Sequence, residues 1–407
     1  MKKQNLLILG ATGGVATSFL HYFVHHRDIV GNLILLARTN KLLSNPYLEH
    51  KNLKYKLIEK EIDPDNLEEY IEILKRYKID IVLDLTDSTS IPLLEATNNE
   101  GISYMNTSLN DDSRPVSEIV FELYSRKNEF NKAPHIVCAG MNPGIVNMWV
   151  RYGIEKFGIP KEIIHFEYDT SNAPIRLKKA LITWSPHEFL VEGVRDPSGV
   201  VEGKNKIKKL LPNALKNRED MRLLMEPIVK LSKYPKGLLV LHEENITIAQ
   251  KYNVPSRFIY AINSDALEKI TKLYKKKKNI DEKDILLMTN RNVPLDGSDN
   301  IGVILEYPNK RVYYFNSISN SSVIGTNATY FQVVIGVFAA LLALIFDKLE
   351  NKLYFTEDLF KSIYKNYVFD NMRVQEFIFN KNGGKLSLSN YNPIIRMSRN
   401  NFNHLYI

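Results

Sequence analysis

The feature that most restricts the fold is Leu6-Leu7-Ile8-Leu9 running directly into Gly10-Ala11-Thr12-Gly13-Gly14-Val15-Ala16. An apolar strand followed at once by small residues and a helical pattern is the opening turn of a βαβ unit. Small residues there let backbone approach a pyrophosphate at the positive end of a helix. The spacing is Gly-x-x-Gly-x-x-Ala, a variant of the strict G-x-G-x-x-G dinucleotide fingerprint. Gly10, Thr12, Gly13, Gly14 and Val15 are the candidate contacts. An ordinary tight turn is the competing reading.

The pattern around this turn repeats. Asn32 to Leu36, Ile79 to Leu85 and His135 to Cys138 read as further strands, and Val15 to His26 and Leu67 to Tyr77 as helices. The second helix opens with Glu68 and Glu69, where the helix dipole favours acids. Strands alternating with amphipathic helices predict an α/β fold: a doubly wound parallel Rossmann sheet over residues 1–145, which C-terminal segments could complete. Beyond it, Ile163 to Tyr168, Gly302 to Tyr307 and Arg311 to Phe315 are longer runs of β-branched and aromatic residues. They predict an α+β mixed-sheet domain over 146–407, for substrate binding and dimerisation. A chain of 407 residues with 44% apolar composition can bury two such cores.

Two positions bear on the cofactor. The second strand ends in Ala37-Arg38, and an arginine there can accommodate a 2′-phosphate where an acid would bond a ribose hydroxyl. Arg38 therefore tilts the choice from NAD toward NADP. Thr86, Asp87 and Ser88 follow a very apolar strand at the sheet's carboxyl edge, as nicotinamide-end contacts or as caps of the next helix.

Other classes are disfavoured. The formal charge is only +8, and Tyr274 is the one aromatic residue within or beside the basic runs Lys204 to Arg222 and Lys275 to Lys278. Both runs read as solvated surface, because one ring cannot stack successive bases, so no nucleic-acid partner is expected. Cys138 is the sole cysteine, which excludes an internal disulfide and a cysteine-rich zinc site and fits a cytoplasmic protein. No metal-binding set is expected. The N-terminus shows no secretory leader pattern. The longest apolar run, Val333 to Phe346, is shorter than the roughly 20 residues of a membrane span. It reads as a buried core helix, with no membrane partner expected.

A second constellation suits a cation. Asn142 sits in the irregular turn Gly140-Met141-Asn142-Pro143-Gly144. Glu167 and Asp169 are alternate strand residues and so share a face, which is unfavourable unless exposed or balanced by a positive charge. Trp184, Glu192 and the run His242-Glu243-Glu244-Asn245 follow. An indole face and carboxylates together can hold an ammonium group.

These stretches, with Thr183-Trp184-Ser185, Asp296-Gly297-Ser298-Asp299-Asn300 and Asn327-Ala328-Thr329, resemble the homospermidine synthases, relatives of saccharopine dehydrogenase. The resemblance spans most of the chain. It implies an enzyme that recycles NAD while transferring an aminobutyl group between two putrescine molecules through imines. It further implies Trp184 and Glu192 as holders of the distal ammonium and Glu167 and Asp169 as the frame of the cationic pocket. Asn142, His242 and Glu244 would orient the reacting amine, with Asp296 and Asp299 as further substrate contacts, and the protein would be a homodimer. Two alternatives stand beside it. One is an NADP-dependent reductase like saccharopine or carboxynorspermidine dehydrogenase, with Arg151, Arg176 or Arg195 for substrate carboxylates. The other is a non-catalytic nucleotide-binding protein.

Overall fold

The computed structural model describes residues 3–39, 53–277 and 279–394; Lys278 of the second lysine run lies outside them. The chain forms two compact units. One comprises Met1–Met148 and Phe331–Asn371, the other Trp149–Tyr330 and Met372–Arg396.

In the first unit, β1 (Leu6–Leu9), β2 (Leu33–Ala37), β3 (Lys56–Glu59), β4 (Ile81–Asp84), β5 (Ser103–Asn106) and β6 (His135–Val137) join a later strand, Leu353–Phe355, in one sheet. All pairings are parallel, in the order Leu353–Phe355, β6, β5, β4, β1, β2, β3. This is the doubly wound order, with its reversal point between β1 and β4. The central strands β1, β2 and β4 are apolar apart from Asp84 at the end of β4, because both sheet faces are covered; Leu6–Leu9 are wholly buried. β3 and β5 escape a reading by apolar runs because they are short and carry polar residues such as Lys56, Ser103 and Asn106.

The apolar run starts its helix earlier than expected, at Ala328, giving 19 residues to Phe346. By length and composition that helix could cross a bilayer, but 78% of its most apolar window is buried inside the protein. It is a core helix: the Phe338 ring packs tilted against Phe19 at 4.7 Å and meets His26 edge-on at 5.7 Å.

The second unit is built on a ten-stranded mixed sheet. Its centre is β7 (Glu162–Asp169), parallel to Ser256–Ile262 on one side and antiparallel to Ser298–Glu306 on the other. β7 has no polar face to spare for water, since only Glu162 and Tyr168 are partly exposed. One face carries Ile164 and Phe166 into an apolar core with Ile259, Ile304 and Phe315. Gly302 lies opposite Phe166 in register, and a side chain there would collide with the ring, since an added Cβ would stand 2.2 Å from it. The other face carries the acids. In the basic stretch from Lys204, Ser198–Gly203 and Lys206–Leu211 pair as an edge hairpin whose lysines face water, a usual device against edge-to-edge association. Lys275, Lys276 and Lys277 end the helix Ser264–Lys277, where the dipole favours cations.

Candidate functional site

In the first unit, α1 (Gly14–Phe23) begins where the glycine turn ends. Gly10 has φ +70, and a Cβ there would stand 2.6 Å from the Leu85 carbonyl oxygen. Two βα turns thus meet in backbone contact at the reversal point of the sheet. Gly13 N–H donates to Gly10 O at 2.9 Å, and Thr17 Oγ1 donates to Gly13 O at 2.8 Å. The turn is pinned, with Gly13 exposed and Thr12, Gly14 and Val15 half-buried at its rim. These residues fit a pyrophosphate cradle.

Thr86 is turned inward. Its N–H and hydroxyl donate to Asp84 Oδ1 at 3.0 and 2.7 Å, and Tyr104 donates to Asp84 Oδ2 at 2.7 Å. Burial pushes the Asp84 carboxyl up, against the lowering pull of these bonds. Thr86 and Ser88 do not cap the helix Ser90–Asn99, whose N-terminal residue Thr89 makes no side-chain cap bond. Instead Thr86 Oγ1 accepts from Ser88 N–H at 3.3 Å and shapes the loop that carries Asp87.

Arg38 is three-quarters exposed, 3.5 Å from Glu61, itself exposed. Such a pair is worth about 0–1 kcal/mol, so the guanidinium is free to take a phosphate. If it does, Arg38→Asp should weaken NADP binding at least about 10-fold with little change for NAD. Equal loss for both cofactors in a fluorescence titration would remove Arg38 from that role. Asn142 also belongs to the first unit, in the turn after β6. There Gly144 N–H donates to Asn147 Oδ1 at 3.2 Å, and Asn147 in turn donates to the buried Glu357 at 3.0 Å.

The second unit gathers most of the remaining candidates on one sheet face. Asp169 lies opposite Asp299, and Glu167 lies between Tyr260 and Ile301. Glu167, Asp169 and Asp299 are all at most 4% exposed. Asp169 accepts from Thr183 Oγ1 at 2.6 Å and from Ser171 N–H at 2.8 Å; Thr183 Oγ1 is also 3.0 Å from Thr329 Oγ1. Burial raises the Asp169 carboxyl, and burial followed by repulsion from Asp169 holds Asp299 well above the usual range. A side-chain hydrogen bond with Glu167 works against that rise. Trp184 donates its Nε1–H to the Tyr260 hydroxyl at 2.7 Å, bringing indole, phenol and acids into one cluster. Burial, then the acids around it, keeps the Tyr260 hydroxyl protonated.

Beside this cluster His242 begins the helix Glu243–Tyr252, its backbone N–H donating to Asn245 Oδ1 at 3.1 Å. This cap aims the imidazole across the helix start. Nδ1 meets Glu244 Oε2 and lies 3.1 Å from Glu243, while Nε2 is 3.2 Å from Glu192. Glu192 reaches in from the wide π turn Val191–Arg195, an insertion often found at functional sites. Burial opposes the imidazolium, yet Glu244, Glu192 and Glu243 raise the His242 pKa well above its ordinary value. Burial likewise opposes Glu244 ionisation, and His242 outweighs it, lowering the carboxyl. Phe258 links the two clusters, packing 5.3 Å from the His242 ring and 6.2 Å from the Tyr260 ring.

His242, Glu243 and Glu244 offer donor atoms within 4.8 Å of one another, a set that could hold a cation. A helix N-terminus disfavours a bare metal ion. Asp296 does not join these groups: its side chain is exposed, and its backbone bridges Asn172. Thr183, Tyr260 and Thr329 were not among the expected site residues. Tyr260 belongs here only through strand register, which no local pattern carries. The arginines of the reductase reading are elsewhere employed or exposed: Arg151 bonds Tyr252 at 3.0 Å and pairs with Glu155, and Arg176 and Arg195 face solvent.

A family model for the saccharopine dehydrogenase NADP binding domain matches residues 6–139. No curated protein sequence is significantly similar to the chain. Among solved structures, the chain resembles an amine dehydrogenase from Mycobacterium smegmatis at 9% identity and TM-score 0.40, covering 87% of this chain and 95% of that one. It also resembles a myo-inositol 2-dehydrogenase from Lactobacillus plantarum at 8% identity and TM-score 0.42, covering 90% and 96%. A third likeness is a scyllo-inositol dehydrogenase from Lactobacillus casei with bound NAD(H), at 9% identity and TM-score 0.35, covering 77% and 76%.

Proposed function

We propose that this protein, whose residues 6–139 match a nicotinamide dinucleotide-binding domain of the saccharopine dehydrogenase type, is a homospermidine synthase-like enzyme. It transfers an aminobutyl group between two putrescine molecules with NAD recycled. The observation that carries this reading is the buried acidic face of Glu167, Asp169 and Asp299, joined to Trp184 through Tyr260. Acids directly opposite on neighbouring strands repel. A diamine, doubly protonated near neutral pH, relieves that repulsion.

The dinucleotide supplies the chemistry of taking hydride from the carbon bearing one amine and returning it to the imine formed with the second. The protein's residues manage charge and protons. Trp184 offers its ring and the acids their charge to the distal ammonium. His242 rests as the acid form, so it donates a proton to the departing nitrogen, while the proton that the reacting ammonium sheds before hydride leaves passes to the carboxylates around it. An ammonium arriving beside Glu192 and Glu244 competes with the imidazolium for the same carboxylates and helps it release that proton. Enclosure of these groups protects the imine from water.

Incubation with putrescine and sub-stoichiometric NAD should yield homospermidine, read by mass spectrometry. Trp184→Ala should weaken diamine use at least about 10-fold, since a desolvated cation and indole contribute roughly 2 kcal/mol, and leave cofactor affinity unchanged. Product only with stoichiometric NADPH and a carbonyl compound would replace this reading with the reductase one; cofactor binding without product across amines would replace it with a silent binder.

A further inference from the structure

β7 presents a third polar side chain on the face of Glu167 and Asp169. His165 lies one pleat earlier, opposite Phe258 on one neighbouring strand and Val303 on the other. It is 1% exposed, and neither ring nitrogen has a hydrogen-bond partner. Burial pushes its pKa down to about 4, so the ring is neutral. Glu244 Oε1 is also buried and unpartnered, its other oxygen being taken by His242. The two residues lie within electrostatic range of each other and of His242. Phe258, the register neighbour of His165, packs against the His242 ring.

Buried polar atoms are nearly always paired, so these orphans specify what is missing. A carboxylate oxygen only accepts, and a neutral imidazole offers one acceptor. The complementary group brings several N–H donors and a positive charge. We propose that His165 is a substrate-binding residue which, with Glu244 Oε1, accepts N–H bonds from one ammonium group of a polyamine ligand. This rests on the polyamine reading above and adds to it a recognition point beneath the His242 and Glu244 pair. The carboxylate supplies attraction. The neutral ring supplies direction without a further negative charge, and so favours an amine bearing N–H over a quaternary ammonium.

The test is calorimetry on the full chain saturated with NAD, using putrescine, methylammonium and tetramethylammonium as probes. His165→Phe, which keeps the ring and removes both nitrogens, should lower putrescine and methylammonium affinity at least about 10-fold. His165→Gln, which keeps an acceptor, should restore affinity to within about 3-fold, and tetramethylammonium should bind the two variants alike. Cofactor affinity should not change. Wild-type affinity in His165→Phe would overturn the proposal. Should that variant not fold, selective ¹⁵N-histidine spectra of the wild type decide: saturating putrescine moves the His165 ring signal, assigned with His165→Gln, and an unmoved signal overturns the assignment. Methylammonium binding that depends on His165 without homospermidine formation would sink the functional reading and leave this site standing. Homospermidine formation with undiminished affinity in His165→Phe would sink the site alone.

Discussion

Replacing His242 by glutamine should lower homospermidine formation by about 100- to 10,000-fold, the range spanned by loss of a positioned general acid, while cofactor affinity stays within about twofold. The His242 ring nitrogens lie within ion-pair distance of Glu192, Glu243 and Glu244. Its removal takes away the proton donor and leaves those buried acids facing one another, which costs stability on the scale of about 3–5 kcal/mol for a broken buried pair. The stability effect has a definite pH dependence. The folded pKa of His242 is raised above its unfolded value near ~6.5. Its contribution is therefore fully present below that pH and is lost as pH rises through the raised folded value. Glu244 is lowered, so its contribution is present above roughly 4.5 and is lost as pH falls through the lowered value. Denaturation of wild type and His242→Gln should thus differ most from mildly acidic to neutral pH and converge under alkaline conditions. A difference that grows with pH, or unchanged turnover in the variant, would show that His242 is not charged and not the acid.

Gly10→Val should abolish measurable dinucleotide binding and destabilise the first unit. A β-branched residue at φ +70 costs about 1–2 kcal/mol in backbone strain alone. Its Cβ, 2.6 Å from the Leu85 carbonyl, must drive the two βα turns apart, adding roughly 1–3 kcal/mol of overpacking. The same displacement moves the start of α1, the backbone that the proposed cofactor site offers to a pyrophosphate. Cofactor fluorescence titration should show at least about a 100-fold weaker complex, with the thermal transition lowered. Wild-type affinity in Gly10→Val would remove this turn from the cofactor site.

How far each element could be read from the sequence depended on the range of the forces that set it. β1, the glycine turn and α1 are local: four apolar residues, a turn that needs positive φ, and a helix pattern adjoin in the chain. The parallel sheet followed from alternation of strand and helix. β3 and β5 did not, because their polar residues break the apolar pattern and the strands are defined by pairing, β3 at the edge beside β2 and β5 between β4 and β6. In the site, Glu167 and Asp169 share a face by the two-residue repeat of a strand. The same repeat reaches His165, whose importance emerges only from its lack of partners. His242 and Glu244 are neighbours at a helix start, whereas Glu192, fifty positions away, meets them only through the turn Val191–Arg195.

The amino-acid order by itself determined the glycine turn between β1 and α1 and the doubly wound class, and it singled out the acids and the indole, because each follows from residue type and near-neighbour spacing. Tertiary structure alone decided that Asp299 stands opposite Asp169, that Trp184 reaches Tyr260, and that the surroundings raise the His242 pKa while burial lowers that of His165. Those outcomes depend on strand register and on the balance of desolvation against carboxylates brought from distant segments, and both are properties of the folded interior.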